Sequence, residues 1–521
     1  MGSRSPCSRS PAAGPTTRES LVAIDISMMD GAEVSKHNSK QSCWIVIDLR
    51  VYDITSFLQQ HPGGEAVLLK QGGADATSEF NKLHPPDYVD DLPQGSYLGN
   101  LDPATAKGLR KPTPPAPAPS SSPAAGKVPD LALCVRASDF EEAAKVVLNR
   151  KSWIYVSSSA NSGLSLRGNL DDWSRVTFRP RVLRNVEVVD AQSSILGHPT
   201  PHPFYASAMG TLGVAHAEAE PELVRAVARR GAHAVISTAS TRATGQIMQA
   251  FEEESRRLGG VSPSRLFFQL YLPDDRAKAL AIIETAKRAG YKGLWITVDL
   301  PVLGKRTADR RLQAEEALSL GVSVESVPQA SEGENPYTPG AGGRVVAGRV
   351  SARTTWDDLK WIREAWQGPI VLKGIQCAED AKLAVEYGCQ AILLSNHGGR
   401  QLHTAPSSLT TLLEIRTYCP EVLEKLEVYV DGGLRDGADI LKAICLGAKS
   451  VGVGRPFFYA MAAYGAAGVE RCIDILAEEL ATAMRLVGIT SLDQARPEMV
   501  NASRLLNDMW RPEKQFAQSR L

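Results

Sequence analysis

The chain has 521 residues, 43% apolar and 22% charged, with Lys+Arg and Asp+Glu both at 58 and a formal net charge of +0. That length exceeds what one compact core supports, so two or three domains are expected. Balanced charge gives no electrostatic reason for a nucleic-acid or membrane partner, and no apolar run approaches the ~18 residues of a membrane-spanning helix. The eight cysteines are scattered without CxxC spacing, which points to buried thiols rather than a disulfide framework or zinc site.

In chain order, residues 1–24 come first. Arg4, Arg9 and Arg18 among many serines have the composition of an import leader. Pro6, Pro11 and Pro15 would break the amphipathic helix a leader needs, so this segment is expected to be a disordered tail. The cytoplasm and the mitochondrial intermembrane space both remain open as locations. Residues 25–101 form a small domain, bounded by a linker at 102–130 that contains "KPTPPAPAPSSSPAAGKVP", a composition that cannot build a core. Within the small domain, His61 stands before Pro-Gly-Gly and His84 follows a helix-like stretch. Two neutral imidazoles facing each other could hold a haem iron from both sides; two histidines spaced by chance are the plain alternative.

The large domain, 131–510, repeats short apolar runs: "PFYASAMG", "HAVIST", "RLFFQLYL", "GLWITVD", "PIVLKG", "AILLSN", "LEVYVDGG" and "SVGVGRP". Helix-like stretches such as "EPELVRAVARRG" and "AEDAKLAVEYG" separate most of them, each stopping on a glycine. Eight strands alternating with helices predict an α/β fold, a closed (β/α)8 TIM barrel beside an N-terminal α+β domain, with an open doubly wound sheet as the rival. Every run carries its polar residues or glycines at its C-terminal end, which favours closure. Residues 307–352, with "SEGENPYTPGAGG" inside, lack periodicity and are expected to form a lid, a disordered loop or a resting place for another domain. Residues 511–521 are a C-terminal tail.

The strand ends carry chemistry. "DGGLRDG" from Asp431 and "GVGRP" follow the last two strands, where glycine amides commonly cradle a phosphate, with Arg435 and Arg455 able to add charge; two tight turns with solvated arginines are the alternative. His397, Lys373, Asp299 and Tyr271 end the sixth, fifth, fourth and third strands, so closure brings them to one mouth. A neutral histidine is a competent base near neutral pH, and a buried aspartate beside it would orient it and stabilise its protonated form. Arg400 and Arg306 could then grip a carboxylate in bidentate fashion.

On "KHNSKQSCWIVIDLRVYDITSFLQQHPGG" and "EFNKLH", residues 26–101 resemble the cytochrome b5 family. On "FFQLY", "TVDLPVLGKR", "VLKG", "SNHGGRQL", "DGGLRDG" and "GVGRPF", residues 131–510 resemble the FMN-dependent 2-hydroxy acid oxidizing family, and the fused architecture resembles the flavocytochrome b2 class of L-lactate:cytochrome c oxidoreductases. The resemblance implies haem b held by His61 and His84, and FMN in the barrel. It implies catalysis by His397, Asp299 and Tyr271, and substrate carboxylate binding by Tyr155, Arg306 and Arg400. It places Ser237, Gln269, Thr297 and Lys373 at the flavin ring, and Asp431, Gly433, Arg435, Gly454 and Arg455 among the residues that hold FMN. It further implies a small 2-hydroxy acid substrate, a cytochrome c-like acceptor and a homotetramer.

Some residues depart from the family. Gly210 and Ala239 stand where bulkier residues are common, so the pocket is expected to admit an acid larger than lactate, such as an aromatic one. His403 replaces an aspartate, which could shift the ionisation of His397, and Ser159 replaces a glycine. Two rival readings are an oxidase returning electrons to oxygen and a haem carrier on a decayed barrel.

Overall fold

The computed structural model describes residues 28–61, 65–84, 86–110, 127–260, 262–319 and 350–512. The N-terminal tail, most of the Pro/Ser-rich linker, the centre of the polar insertion and residues 513–521 lie outside the described residues.

The small domain is built on a five-stranded sheet. Tyr97–Leu101 pairs in parallel with Met28–Met29 and antiparallel with Arg50–Asp53, followed by Ser42–Ile47 and Asn38–Ser39. Ser42–Ile47 and Arg50–Asp53 form a hairpin closed by Asp48 and Leu49, both at positive φ, the backbone twist that two-residue hairpin turns demand. One face buries Ile45, Ile47, Ile54 and Leu58 beneath the helices Glu65–Gln71 and Thr77–Leu83. Pro103–Gly108 forms a 3-10 helix whose Thr105 Oγ1 accepts from Gly31 N at 2.8 Å, and Arg110 N donates to Gly73 O at 2.9 Å, so folded structure continues to residue 110.

The eight apolar runs of the large domain all become strands: Phe204–Ala206, His233–Ser237, Leu266–Leu270, Leu294–Thr297, Ile370–Ile375, Ala391–Leu394, Glu427–Asp431 and Ser450–Val453. They pair in parallel in chain order, and the eighth returns to the first, giving the closed barrel expected from sequence rather than the open sheet. Alternate residues point inward, and Tyr205, Phe267, Trp295 and Tyr429 fill the interior with an aromatic cluster, capped at the N-terminal end by Ile195 of the hairpin Ser193–Ile195/His198–Thr200. The outward faces bury against the surrounding helices. Glu220–Arg230 stops on Gly231, at φ 68°, as its sequence predicts.

One expectation needs correction. The insertion after the fourth strand begins not as aperiodic loop but as a helix, Thr307–Ser319, tied to the helix Arg150–Ser157 by the Arg150–Glu315 ion pair at 2.6 Å. Among its described side chains the buried ones are Asp309 and Leu312, a carboxylate and an apolar residue, which hides the usual apolar stripe. Among the described residues, no helix is long and apolar enough to cross a membrane.

Candidate active site

The C-terminal ends of the strands open into a cleft of about 1060 Å³. The sixth strand, Ala391–Leu394, delivers His397 through a strained turn: His397 itself lies at φ 58°, followed by Gly398 at 63° and Gly399 at 76°. Gly399 is required for a second reason, because a Cβ there would lie 2.5 Å from Leu166 N. The turn is pinned by Asn396, whose Oδ1 accepts from Gly399 N at 2.9 Å, and by a reciprocal amide pair between Asn396 and Asn169 with both bonds at 2.7 Å.

The fourth and fifth strands supply the partners. Asp299 Oδ1 lies 2.8 Å from His397 Nδ1, and its Oδ2 accepts from Lys373 Nζ at 3.3 Å. Burial pushes the Asp299 carboxyl upward, but His397 and Lys373 outweigh it and hold the group below its ordinary value, so it is ionised. Burial pushes the His397 imidazole down to about 4; Asp299 opposes this, while Lys373 and Arg306 reinforce it. The resulting state at neutral pH is a neutral imidazole whose Nδ1–H donates to a carboxylate, which leaves Nε2 as the accepting nitrogen. Burial and Asp299 together push the Tyr271 phenol well up, so it stays protonated and able to donate.

Arg400 and Arg306 bring the positive charge. Arg400 Nη1 donates to Tyr155 O at 2.9 Å and Ser158 O at 3.0 Å, and the guanidinium lies 5.3 Å from the centroid of the Tyr155 ring. Burial and neighbouring Arg306 push Arg400 down to about 9, still charged at neutral pH. Arg306 is buried, lines the cleft and has its Nε without a hydrogen-bond partner, so it is a guanidinium with donor capacity that an anion in the cleft would use.

The remainder of the cleft fits FMN. Ser237 Oγ donates to Gln269 Oε1 and Gln269 Nε2 donates to Thr297 Oγ1, both at 2.9 Å, forming a polar row across three strand ends. At the other end, Gly454 precedes the helix Arg455–Val487 without a side-chain cap, and a Cβ at Gly454 would meet nothing within 4 Å. Free amides at a helix start beside an open space make a phosphate cradle. Arg455 bonds Gly398 O from both Nη atoms at 3.1 Å, while Gly433 and Arg435 line the same end. Asp431 Oδ1 is buried without a partner, and burial raises its carboxyl.

In the small domain, the His61 and His84 rings stand 6.3 Å apart between centroids with planes at 71°. That separation admits one metal ion with ring nitrogens about 2 Å away on each side. Among the described residues there is no cluster of three or more His, Cys, Asp or Glu to complete a bare-ion site, so the two imidazoles suit a macrocycle that brings its own in-plane ligands.

Comparison with known proteins agrees. The profile of the FMN-dependent dehydrogenase family matches residues 144–502, and that of the cytochrome b5-like heme/steroid binding domain matches 30–102. The chain belongs to the FMN-dependent dehydrogenase family. It is similar to the L-lactate dehydrogenase (cytochrome) of Wickerhamomyces anomalus, 34% identical over 91% of this chain and 80% of that one. The corresponding Saccharomyces cerevisiae enzyme is also 34% identical, over 94% and 83%. The flavin-binding domain of baker's yeast flavocytochrome b2 superposes with a TM-score of 0.64 at 32% identity, covering 75% of this chain and 93% of that one. This dehydrogenase uses FMN and haem b, acts on 2-hydroxy acids and pairs its barrel with a cytochrome b5-like domain.

Of the residues singled out from sequence, Tyr155, Ser237, Tyr271, Arg306, Lys373, His397, Arg400, Asp431, Gly433, Arg435, Gly454 and Arg455 all line the one cleft. Asp299 and Gln269 stand directly behind it, bonded to the lining residues His397 and Ser237, and Thr297 is reached through Gln269. His403 bonds Ser162 at 3.3 Å and is absent from the leading electrostatic influences on His397. The sequence reading missed Asn169 and Ser395. Ser395 Oγ accepts from both His397 N at 3.1 Å and Lys373 Nζ at 3.4 Å, and it stands in the quoted "SNHGG" motif.

Proposed function

We propose that the dehydrogenase oxidises an L-2-hydroxy acid of lactate size to its 2-oxo acid and delivers the electrons through the haem domain to a cytochrome c-like acceptor. The observation that carries this is His397, tied to the buried pair Asp299 and Lys373, in one cleft with Arg306, whose buried Nε has no hydrogen-bond partner. Bound FMN supplies the two-electron acceptor and haem b, held by His61 and His84, the one-electron relay.

The protein's own groups do the rest. Arg306 and Arg400 hold the substrate carboxylate, with the Tyr155 phenol beside them, and the Tyr271 hydroxyl bonds the substrate hydroxyl. His397 Nε2 accepts the proton that leaves the substrate, and Asp299 stabilises the imidazolium formed. The Lys373 ammonium stands preorganised where negative charge develops as electrons leave the substrate. Ser237, Gln269 and Thr297 would bond the edges of the isoalloxazine ring, Gly433, Arg435, Gly454 and Arg455 would hold the phosphate end, and Asp431 would also contribute to holding FMN. A haem domain over residues 25–101, followed by ordered chain to Arg110, a barrel domain over 131–510 and assembly as a homotetramer belong to the same reading; light scattering on the holoenzyme measures the last.

Anaerobic addition of L-lactate to the purified holoenzyme should bleach the flavin and sharpen the reduced haem bands, and added cytochrome c should be reduced. If neither lactate nor any other 2-hydroxy acid changes either chromophore, the proposal is wrong.

A larger substrate is the second reading. Gly210 and Ala239 both line the cleft, and a Cβ on Gly210 would lie 3.2 Å from the Ala239 Cβ, so two small residues face each other on one wall. A ratio of kcat/KM favouring mandelate over lactate would establish it, and a strong preference for lactate would remove it.

A further inference from the structure

We propose that Tyr88, a residue of the haem domain, sets the size limit of the substrate pocket from outside it, so that the docked haem domain takes part in choosing the substrate. This rests on the barrel mouth being the substrate site, as proposed above.

The wall of small residues has a distinct backing. Ala239, Leu300 and Leu303 form an apolar cluster separate from the two barrel cores, and Tyr271, Val350 and Tyr88 pack against it. Ala239 and Tyr271 face the cleft on one side and this cluster on the other. Leu300 and Leu303 belong to the loop that runs from Asp299 to Arg306, so what presses on the cluster presses on the segment bearing two site residues.

A second contact lies close by. A Cβ on Gly213 would be 2.4 Å from Lys82 O, so the haem-domain backbone rests directly on the turn that follows Gly210 and Thr211. The far side of that turn meets the site, because Tyr155 Oη bonds Thr211 Oγ1 at 3.2 Å. The haem domain thus stands behind Gly210 and behind Ala239, the two positions where the wall lacks bulk. Tyr88 itself is anchored from within its own domain, its ring 5.3 Å from that of His84 and inclined by 33°. The ring is therefore placed by the segment that carries a haem ligand, and it backs the wall only while the domains are docked.

A side chain the size of a methyl group leaves the wall undisturbed, whereas a phenyl group requires it to yield toward Tyr88. With an aromatic ring filling the space behind, yielding means displacing close contacts; without the ring, the space is available. Tyr88 acts through Ala239 and Tyr271 and is a positioning residue.

The test compares Tyr88→Ala and Tyr88→Phe holoenzymes, with the haem Soret band as the check that the small domain is intact and Tyr88→Leu as the substitute where the alanine variant loses that band. Two readouts are taken: kcat/KM of flavin reduction with mandelate and with lactate, and equilibrium dissociation constants for phenylglyoxylate and pyruvate from the flavin absorbance shift. Tyr88→Ala should raise the mandelate-to-lactate ratio about tenfold, the scale on which an apolar pocket discriminates, and shift the binding ratio in the same direction. Tyr88→Phe should keep the wild-type ratio, because the ring and not the hydroxyl backs the wall. Unchanged ratios in an alanine or leucine variant that retains its Soret band overturn the proposal. If no acid reduces the wild-type flavin, the function proposed above fails, and the binding ratio of the two 2-oxo acids still decides the role of Tyr88.

Discussion

The small domain offers two imidazoles 6.3 Å apart, whereas the barrel mouth crowds an imidazole, an ammonium, a carboxylate and four guanidiniums into one cleft. A relay needs an iron held on both faces and nothing that moves protons, so two ligands from separate segments suffice. Oxidising an alcohol carbon needs a proton acceptor, a clamp and a counter-charge at fixed positions, and these come from the ends of the fourth, fifth and sixth strands and the loops that follow them. The lesson is that damage to the barrel should abolish both electron-transfer steps, while damage to the small domain should abolish only the second.

The largest effect is expected at His397. His397→Ala should slow flavin reduction by roughly 10²- to 10⁴-fold, the usual contribution of a positioned base, with the haem spectrum unaltered; stopped-flow absorbance under argon reads both. Next comes the barrel interior. Trp295, buried among Tyr205, Phe267 and Tyr429, should cost about 3–5 kcal/mol of stability when replaced by alanine. Chemical denaturation followed separately by barrel fluorescence and by the Soret band should show that loss in the barrel transition alone; equal shifts in both would mean that the domains unfold as one unit.

The smallest expected effect is a pH dependence that is nearly flat. The competent form of His397 is neutral and its folded value is about 4, so the base is ready throughout neutral pH and is lost only as pH falls toward that value. Flavin reduction should therefore vary little between about pH 6 and 8, and a half-maximal rate near 6.5, where an exposed histidine titrates, would contradict the burial argument. The same depressed value has a stability consequence of fixed sign. Between about pH 6.5 and 4 the unfolded chain takes up a proton that the folded chain refuses, so acid weakens the fold.

Much of this was legible in the sequence because the barrel writes its strands as short apolar runs ending in polar residues. All eight runs became strands, and the motifs at their ends became one cleft. What escaped was what depends on distant partners. Asn169 and Asn396 hold the histidine turn from positions 227 residues apart, and nothing local to Asn169 marks it. The helix Thr307–Ser319 escaped because it buries the carboxylate Asp309, near enough to act on Arg400, among positions where a continuous apolar face would be expected. Tyr88 escaped because the cluster it packs against lies across the domain boundary, where spacing carries no information.

The central claim, one site for oxidation and a separate relay, is tested most directly by His61→Ala in anaerobic stopped flow with L-lactate, recording flavin and haem together. Flavin bleaching should persist within a few-fold of the wild-type rate while the haem signal and cytochrome c reduction disappear. Cytochrome c reduction at the wild-type rate without the haem signal, or loss of flavin bleaching in a folded variant, would contradict it.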